Sequence, residues 1–213
     1  MSTSPGGISV GLATPVSPDS VELAGWSLWG LLDALASSAP TPGAGPAVAW
    51  TCAAAAALVE MVSTIASGDD EPTRATATAR RERACELRLR ALELAQTDMA
   101  AYQAVLAARR QPAGPERAVQ FRAALVAAAD PPLALAELAA ELAKLAADAG
   151  EHARGGVRGE AATAAILADA AAAACRPMLH LNLASSPDDP RLARGDQLAR
   201  EAHEYRERVT RAD

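Results

Sequence analysis

The sequence is poor in the residues that favour β-sheets. Only 3% of its 213 residues are aromatic, and no stretch alternates β-branched and polar residues between Asn-Gly or Asp-Gly turns. Alanine, the strongest helix former and a weak strand former, dominates, and half of the residues are apolar. We therefore predict an all-α fold. Because small side chains let helix axes approach closely, we expect long and tightly packed helices.

A basic excess is also lacking. The formal net charge is −6, and nucleic-acid binding needs a basic face, so we predict no nucleic-acid partner. Arginines do gather in one stretch, at Arg80, Arg81, Arg83, Arg88 and Arg90. Glutamates interleave with them, which favours the solvated face of a helix over a site for a polyanion.

Cysteine and histidine are few and scattered. The three cysteines, Cys52, Cys85 and Cys175, are odd in number and far apart in Ala-rich stretches, so we expect buried free thiols. The three histidines form no cluster, and no metal-ligand spacing occurs. We predict no metal site.

Targeting and membrane signals are weak. The first residues lack the basic and apolar regions of a signal peptide. Residues 47–67 approach the length of a membrane span, but Glu60 interrupts them and no aromatic belt frames both ends. We predict a buried core helix, no membrane partner and a cytoplasmic location.

Breaks rich in Pro and Gly divide the chain. Residues 1–19 are rich in Ser, Gly and Pro and are predicted to be a disordered tail, and residues 20–213 a single helical domain. The predicted helices cover about residues 20–38, 47–67, 73–109, 116–129, 133–148, 160–179 and 190–211. Residues 150–159 are expected to form a polar loop. The sixth helix should be buried on all sides, and the seventh should pack on the body or on a second subunit.

One loop stands out, Pro40-Thr41-Pro42-Gly43-Ala44-Gly45-Pro46. It leads into the Ala-rich second helix, whose first turn offers unpaired N–H groups and a positive dipole end. Glycine also lets a ligand approach the backbone. The loop is therefore either a ligand platform or a plain helix start, and the loop alone favours the plain start.

Two carboxylates are candidate functional groups. Asp98 lies on the apolar seam of the third helix, which includes Leu87, Leu94 and Val105. A carboxylate on such a seam is either paired and buried, facing a cavity, or at a locally wet edge. Glu160 begins the sixth helix, where an acid is favoured by the helix dipole and need have no other role.

Several short motifs occur together and in order. They are Leu32-Asp33-Ala34-Leu35-Ala36-Ser37, residues 40–46, Met61-Val62, Asp98-Met99-Ala100-Ala101-Tyr102, Asp130-Pro131-Pro132-Leu133, Gly159-Glu160-Ala161-Ala162 and His180-Leu181-Asn182-Leu183. In this set the sequence resembles the cyclodeaminase/cyclohydrolase family, which includes the C-terminal domain of formiminotransferase-cyclodeaminase and bacterial methenyltetrahydrofolate cyclohydrolases. The resemblance covers about residues 27–185.

The resemblance implies an up-and-down helical bundle, a homodimer and a tetrahydrofolate derivative as substrate. Such enzymes either hydrolyse 5,10-methenyltetrahydrofolate to 10-formyltetrahydrofolate or cyclodeaminate 5-formiminotetrahydrofolate. It implies Asp98 and Glu160 as catalytic residues. The implied substrate-binding residues are Pro40, Thr41, Pro42, Gly43, Ala44, Gly45, His180 and Asn182.

Four changes, one of them in a pair of residues, depart from the family pattern. Ala44 replaces a Gly, Pro46 a Ser, Gly159-Glu160 a Ser-Asp pair and His180 an Arg. These changes leave three alternatives: the folate reaction, another substrate on the same scaffold, or a non-catalytic helical dimer that binds a partner.

Overall fold

The computed structural model describes residues 25–66, 70–153 and 155–211. Those residues form seven α-helices and no β-strand, which confirms the predicted all-α class. The helices are α1 (Leu28–Ala36), α2 (Ala44–Ile65), α3 (Glu71–Arg110), α4 (Pro115–Ala127), α5 (Asp130–His152), α6 (Arg158–Asn182) and α7 (Pro190–Thr210). The predicted tail, residues 1–19, lies outside the described residues.

The long helices form the predicted up-and-down bundle. Helix α2 packs against α3, α5 and α6, while α5 also contacts α3, α6 and α7. Most of the core is alanine, with leucines such as Leu135, Leu142 and Leu198 filling the remaining space. Because alanine leaves little side chain between helix axes, the backbones approach closely and loops at one end of the bundle can meet.

The first helix is shorter than predicted. It begins at Leu28 because the Ser27 hydroxyl caps it, accepting a hydrogen bond from the Gly30 N–H at 3.1 Å. Residues 20–24 lie outside the described part. Helix α1 buries Leu31 but leaves two large apolar side chains largely exposed, Leu28 at 62% and Trp29 at 66%.

The prediction of a polar loop at residues 150–159 is wrong in its extent, because the break between the helices is shorter. Helix α5 continues to His152, a 3-10 turn covers Gly155–Val157, and α6 already begins at Arg158. Gly150 is buried inside α5, where an added Cβ would lie 2.4 Å from the Val209 Cγ2 atom. This glycine therefore lets α5 and α7 pack closely and does not mark a loop.

Two further predictions concern the burial of α6 and the packing of α7. Helix α6 is not buried on all sides, because Ile166 is 49% exposed and only one stripe of alanines faces the core. Helix α7 packs on the body of its own chain, where Leu198, Ala202 and Val209 are buried.

The arginine-rich stretch is solvated only in part. Arg83 and Arg90 are exposed and pair with glutamates, as predicted, and Arg88 pairs with Glu60 at 2.6 Å. Arg80 contradicts the prediction, since it is only 8% exposed. It lies at the same helical spacing as Ala77, Ala84 and Leu87, so it belongs to the buried face of α3.

The cysteines are free thiols, but they are not all buried. Cys52 and Cys175 are buried in the main core, whereas Cys85 is half-buried. Burial raises the pKa of the Cys52 thiol well above its usual range and that of Cys175 to about 12. Both buried thiols therefore remain protonated at neutral pH.

Three stretches are long and apolar enough to cross a membrane by length and composition. They are Ala44–Ile65, Pro115–His152 and Arg158–Asn182. Between 39% and 50% of each apolar window is buried inside the bundle. Core packing therefore accounts for part of this apolar character, and the absence of a membrane partner stays a prediction.

Candidate functional site

The start of α2 and the end of α6 meet at one end of the bundle and enclose a cavity of about 270 Å³. Its lining residues come from the loop before α2, from α3, from the end of α4 and from the end of α6. They are Pro40, Thr41, Gly43, Ala44, Gly45, Asp98, Tyr102, Ala128, Met178, Leu181 and Asn182. The fold thus brings together the predicted loop, Asp98 and Asn182.

The first turn of α2 supplies backbone donors to this cavity. Gly43 is the N-cap residue and provides no side-chain cap. The amides of the first turn have no intrahelical partners, and Pro46, the third residue, has no N–H. The N–H groups of Ala44 and Gly45 are therefore the backbone donors at this end of α2, and the positive end of the helix dipole lies there.

Asp98 is the one charged side chain among the lining residues that the structure describes. It makes no hydrogen bond or ion pair within the described part of the chain. Burial raises the pKa of its carboxyl group to about 6, because the carboxylate loses water and gains no partner in exchange. A group with this pKa can accept and return a proton near neutral pH.

Gly45 fixes the position of the Asp98 carboxyl group. A Cβ atom added at residue 45 would lie 2.0 Å from the Asp98 Oδ2 atom and 2.1 Å from its Cγ atom. The carboxyl group therefore lies directly against the backbone of the first α2 turn. At Gly43, by contrast, an added Cβ meets nothing within 4 Å. Only one of the two loop glycines is required by this contact.

The end of α6 forms the opposite wall. Leu181 and Asn182 follow Met178 by three and four residues, so both lie beside it on the helix surface. The Asn182 side-chain amide donates a hydrogen bond to the Ala128 carbonyl at 2.7 Å, which joins α6 to the end of α4. Asn182 thus lines the cavity, but its Nδ2 group serves the structure.

Two predicted substrate-binding residues do not line the cavity. His180 is exposed and lies 4.0 Å from Asp196 of α7, because its place in the helical turn differs from that of Met178 and Leu181. Pro42, within the same loop, is buried, and the Thr41–Pro42 peptide bond is cis.

Glu160 lies at the other end of the bundle. It is in the first turn of α6, eighteen residues before Met178, or about 27 Å along the helix axis. Its Oε2 atom is buried and has no hydrogen-bond partner among the described residues. The two predicted catalytic carboxylates therefore do not share a cavity within one chain.

The two residues that depart from the family pattern in the loop, Ala44 and Pro46, lie in different surroundings. Ala44 lines the cavity and is exposed, so its methyl group narrows the rim. Pro46 is fully buried and does not line the cavity. The replacement at position 46 therefore alters the core and the backbone donors, and it does not add a side chain to the cavity.

Comparison with known proteins adds to this geometry. The family model described as formiminotransferase-cyclodeaminase matches residues 27–201. The chain belongs to the formiminotransferase-cyclodeaminase family. The match confirms the resemblance found in the short motifs.

Two members of the family are particularly informative. The methenyltetrahydrofolate cyclohydrolase of Methylorubrum extorquens is 31% identical over 189 residues, which cover 84% of this chain and 91% of the relative. The crystal structure of formiminotetrahydrofolate cyclodeaminase from Thermotoga maritima superposes with a TM-score of 0.81 at 24% identity, covering 89% of this chain and 96% of that one. The second comparison supports the fold.

Four lining residues were not predicted from the sequence. They are Tyr102, Ala128, Met178 and Leu181. Helical spacing identifies three of them once Asp98 and Asn182 are placed. Tyr102 follows Asp98 by four residues, Met178 precedes Asn182 by four, and Leu181 follows Met178 by three. Ala128 carries no such signal, because it reaches the cavity through the packing of α4.

Proposed function

We propose that this member of the formiminotransferase-cyclodeaminase family hydrolyses 5,10-methenyltetrahydrofolate to 10-formyltetrahydrofolate. The observation that carries the proposal is Asp98, a half-buried carboxyl group of raised pKa that lies against the donor end of α2. The 31% identical relative in Methylorubrum extorquens, named as a methenyltetrahydrofolate cyclohydrolase, supports this choice of reaction.

The charge of the cavity suits such a substrate. The methenyl group is a cation shared between two folate nitrogens, and Asp98 is the single charged residue that lines the cavity among the described residues. A carboxylate in a poorly hydrated cavity attracts that cation more strongly than it would in water. Within the described part of the chain, no arginine, lysine or histidine lines the cavity and opposes this attraction.

The size of the cavity indicates which part of the substrate enters. Its volume of about 270 Å³ is just below the range typical of sites that enclose a drug-sized ligand. The cavity therefore holds the one-carbon group and the adjacent ring. Tyr102, 40% exposed, and Leu181, 73% exposed, offer apolar surface at the rim for the rest of the molecule.

The first step would be the addition of water to the methenyl carbon. The Asp98 carboxylate takes a proton from the attacking water, and the oxygen of that water forms a bond to the cationic carbon. The product is a neutral tetrahedral carbon that carries a hydroxyl group between the two nitrogens. The Ala44 and Gly45 N–H groups would donate hydrogen bonds to the oxygen of that hydroxyl group.

The second step would be the opening of the ring. Asp98, now protonated, donates its proton to N5 as the bond between N5 and the tetrahedral carbon breaks. The hydroxyl group loses its proton to solvent and becomes the formyl oxygen, so the formyl group stays on N10. Because a pKa of about 6 is close to neutrality, one carboxyl group can serve as base and then as acid.

The test compares the two substrates of the family directly. The purified chain is incubated with methenyltetrahydrofolate and, separately, with formiminotetrahydrofolate, and loss of the methenyl absorbance and release of ammonia are followed. The proposal expects hydrolysis of the methenyl compound above the buffer rate and no release of ammonia. Ammonia release without hydrolysis would assign the cyclodeaminase reaction instead.

We further propose that the protein acts as a cytoplasmic homodimer that needs no metal. The exposed Leu28, Trp29 and Leu32 of α1 offer an apolar surface for a second copy. Light scattering after gel filtration should give twice the mass of the chain. Trp29→Glu should shift the protein toward the monomer, whereas Val119→Glu, which alters an exposed side chain on α4, should not.

A further inference from the structure

Arg80 is a buried cation without a hydrogen-bond partner. It is 8% exposed, and no carboxylate, carbonyl or hydroxyl oxygen accepts a hydrogen bond from it within the described residues. A guanidinium group stays charged and carries five N–H donors. The nitrogen atoms of Arg80 keep contact with solvent through the cavity beside it, so their acceptor is either water or a bound anion.

The nearby acids do not provide that acceptor. Asp148 and Glu151 are close enough to act on Arg80 through their charge, but both accept hydrogen bonds from Arg208. Burial still lowers the pKa of Arg80, which means that the loss of water outweighs the attraction of these two acids. Asp148 and Glu151 therefore stabilise the charge of Arg80 from a distance. The N–H groups of Arg80 have no acceptor among the described residues.

A cavity of about 160 Å³ lies beside Arg80, and two hydroxyl groups of α3 also line it. Its lining residues are Ala66, Pro72, Thr73, Thr76, Ala77, Arg80 and His152. The Thr73 hydroxyl donates to Asp70, and the Thr76 hydroxyl donates to the Pro72 carbonyl. Both hydroxyl hydrogens are thus already used.

His152 contributes to the same cavity in a defined way. Its Nδ1 atom lies 2.9 Å from the Asp148 carbonyl, and because a carbonyl accepts, Nδ1 carries a hydrogen. A neutral His152 therefore has no hydrogen on Nε2, and a second donor to the cavity appears only when the ring is charged. Among the lining residues that the structure describes, Arg80 is therefore the permanent cation.

We propose that this cavity binds a small oxyanion, such as phosphate or a carboxylate, through the guanidinium group of Arg80. Two parallel N–H groups of an arginine match two oxygens of such an anion. The cavity is large enough for several water molecules and so for one small oxyanion. Arg80 lies eighteen residues before Asp98 on α3, or about 27 Å along the axis, so this site is separate from the proposed folate site.

The experiment measures thermal unfolding of the full chain against inorganic phosphate, with chloride added to keep the ionic strength constant. The matched variants are Arg80→Met and Arg81→Met, which remove the same charge from a buried and from an adjacent exposed arginine. For the wild type and Arg81→Met we expect a saturable rise in Tm of about 3–6 °C at ten times the Kd. For Arg80→Met we expect none.

A second variant keeps the test decisive if Arg80→Met does not fold. Arg80→Lys retains the charge but loses the paired donors, and it should weaken phosphate binding about tenfold or more. A repeat with formate in place of phosphate distinguishes a carboxylate site from a phosphate site, and a response to either anion supports the proposal. If neither anion raises the Tm above chloride, or if Arg80→Met responds like the wild type, water alone fills the cavity and the proposal is wrong.

Discussion

At the scale of single residues, Asp98 is held in an environment that disfavours its charge. Its carboxyl group lies against Gly45, lacks a hydrogen-bond partner among the described residues and has a pKa of about 6. A charged carboxylate without a partner lowers the free energy of unfolding at neutral pH, whereas a neutral side chain of the same shape does not. Such a cost is typical of a functional position.

The first prediction concerns Asp98→Asn. The folded state binds the Asp98 proton more tightly than the unfolded state, so the carboxyl group destabilises the wild type above pH 6 and no longer does so below about pH 4. Allowing for partial exposure, we expect Asp98→Asn to raise the free energy of unfolding by about 1–2 kcal/mol at pH 7.5.

Urea unfolding at pH 7.5 and pH 4 checks this prediction. The gain should disappear at pH 4, and Glu93→Gln, which neutralises an exposed acid on the same helix, should show no gain at either pH. A loss of stability in Asp98→Asn at pH 7.5 would show that the carboxylate is paired, contrary to the structure.

The second prediction compares the two glycines of the loop. Gly45→Ala places a methyl group 2.0 Å from the Asp98 Oδ2 atom, so Asp98 must move and the rate should fall by about 10²-fold. Gly43→Ala adds its methyl group to open space and leaves Asp98 in place, so the rate should fall less than in Gly45→Ala. Steady-state kinetics of both variants tests this, and equal effects would mean that Gly45 does not position Asp98.

Sequence alone predicts part of the residue-scale picture. Asp98 is identifiable because it is a carboxylate among apolar residues at helical spacing, and that exception can be read from the sequence. The contact with Gly45 depends on two helices that are distant in sequence, and no local pattern contains it. His180 was misplaced because the resemblance gave its position in the chain but not the face of α6 on which it lies.

At the scale of elements, α7 completes the core and does not serve as a detached surface helix. Leu198 is 2% exposed and packs in the main cluster with α2, α3, α5 and α6. Two glycines allow this approach. Gly150 faces Val209, and Gly195 leaves room for the Leu179 side chain, whose Cδ1 atom would lie 2.4 Å from an added Cβ.

The third prediction follows from this packing. Leu198→Ala should lower the free energy of unfolding by about 3–5 kcal/mol, because it leaves a cavity that the surrounding alanines cannot fill. Val119→Ala, at a side chain that is 59% exposed, should change it by no more than about 0.5 kcal/mol. Denaturant unfolding compares the two. Similar losses would indicate that α7 is not part of the cooperative core.

The helices themselves were largely predictable, and their ends less so. Alanine content and Pro or Gly breaks located all seven. The start of α5 was placed at Leu133, but the helix includes Asp130, Pro131 and Pro132, since proline is tolerated in a first turn that needs no intrahelical N–H bond. Glycines in close helix contacts, such as Gly150, look like loop residues in sequence.

At the scale of the whole molecule, polar groups gather at both ends of the bundle. Asp98 and the first turn of α2 form one end, and Glu160 and Arg80 lie toward the other. The bundle separates them because α2 and α6 run antiparallel, so the start of one helix meets the end of the other.

The fourth prediction uses this separation. Glu160→Gln should leave kcat/KM within about threefold of the wild type, because Glu160 is about 27 Å from Met178 along α6. Kinetics at several protein concentrations measures it. A loss of about 10²-fold or more would mean that a second subunit brings its own Glu160 to the Asp98 cavity, which the dimer would then have to complete.

The central claim is that the Asp98 carboxyl group transfers the proton in methenyltetrahydrofolate hydrolysis. The most direct test is the rate of loss of the near-ultraviolet absorbance of methenyltetrahydrofolate at pH 7.5 with wild type, Asp98→Asn and Glu93→Gln. We predict that wild type and Glu93→Gln accelerate hydrolysis above the buffer rate and that Asp98→Asn is slower by about 10²–10⁴-fold. Equal rates for wild type and Asp98→Asn, or no acceleration by the wild type, would contradict the claim.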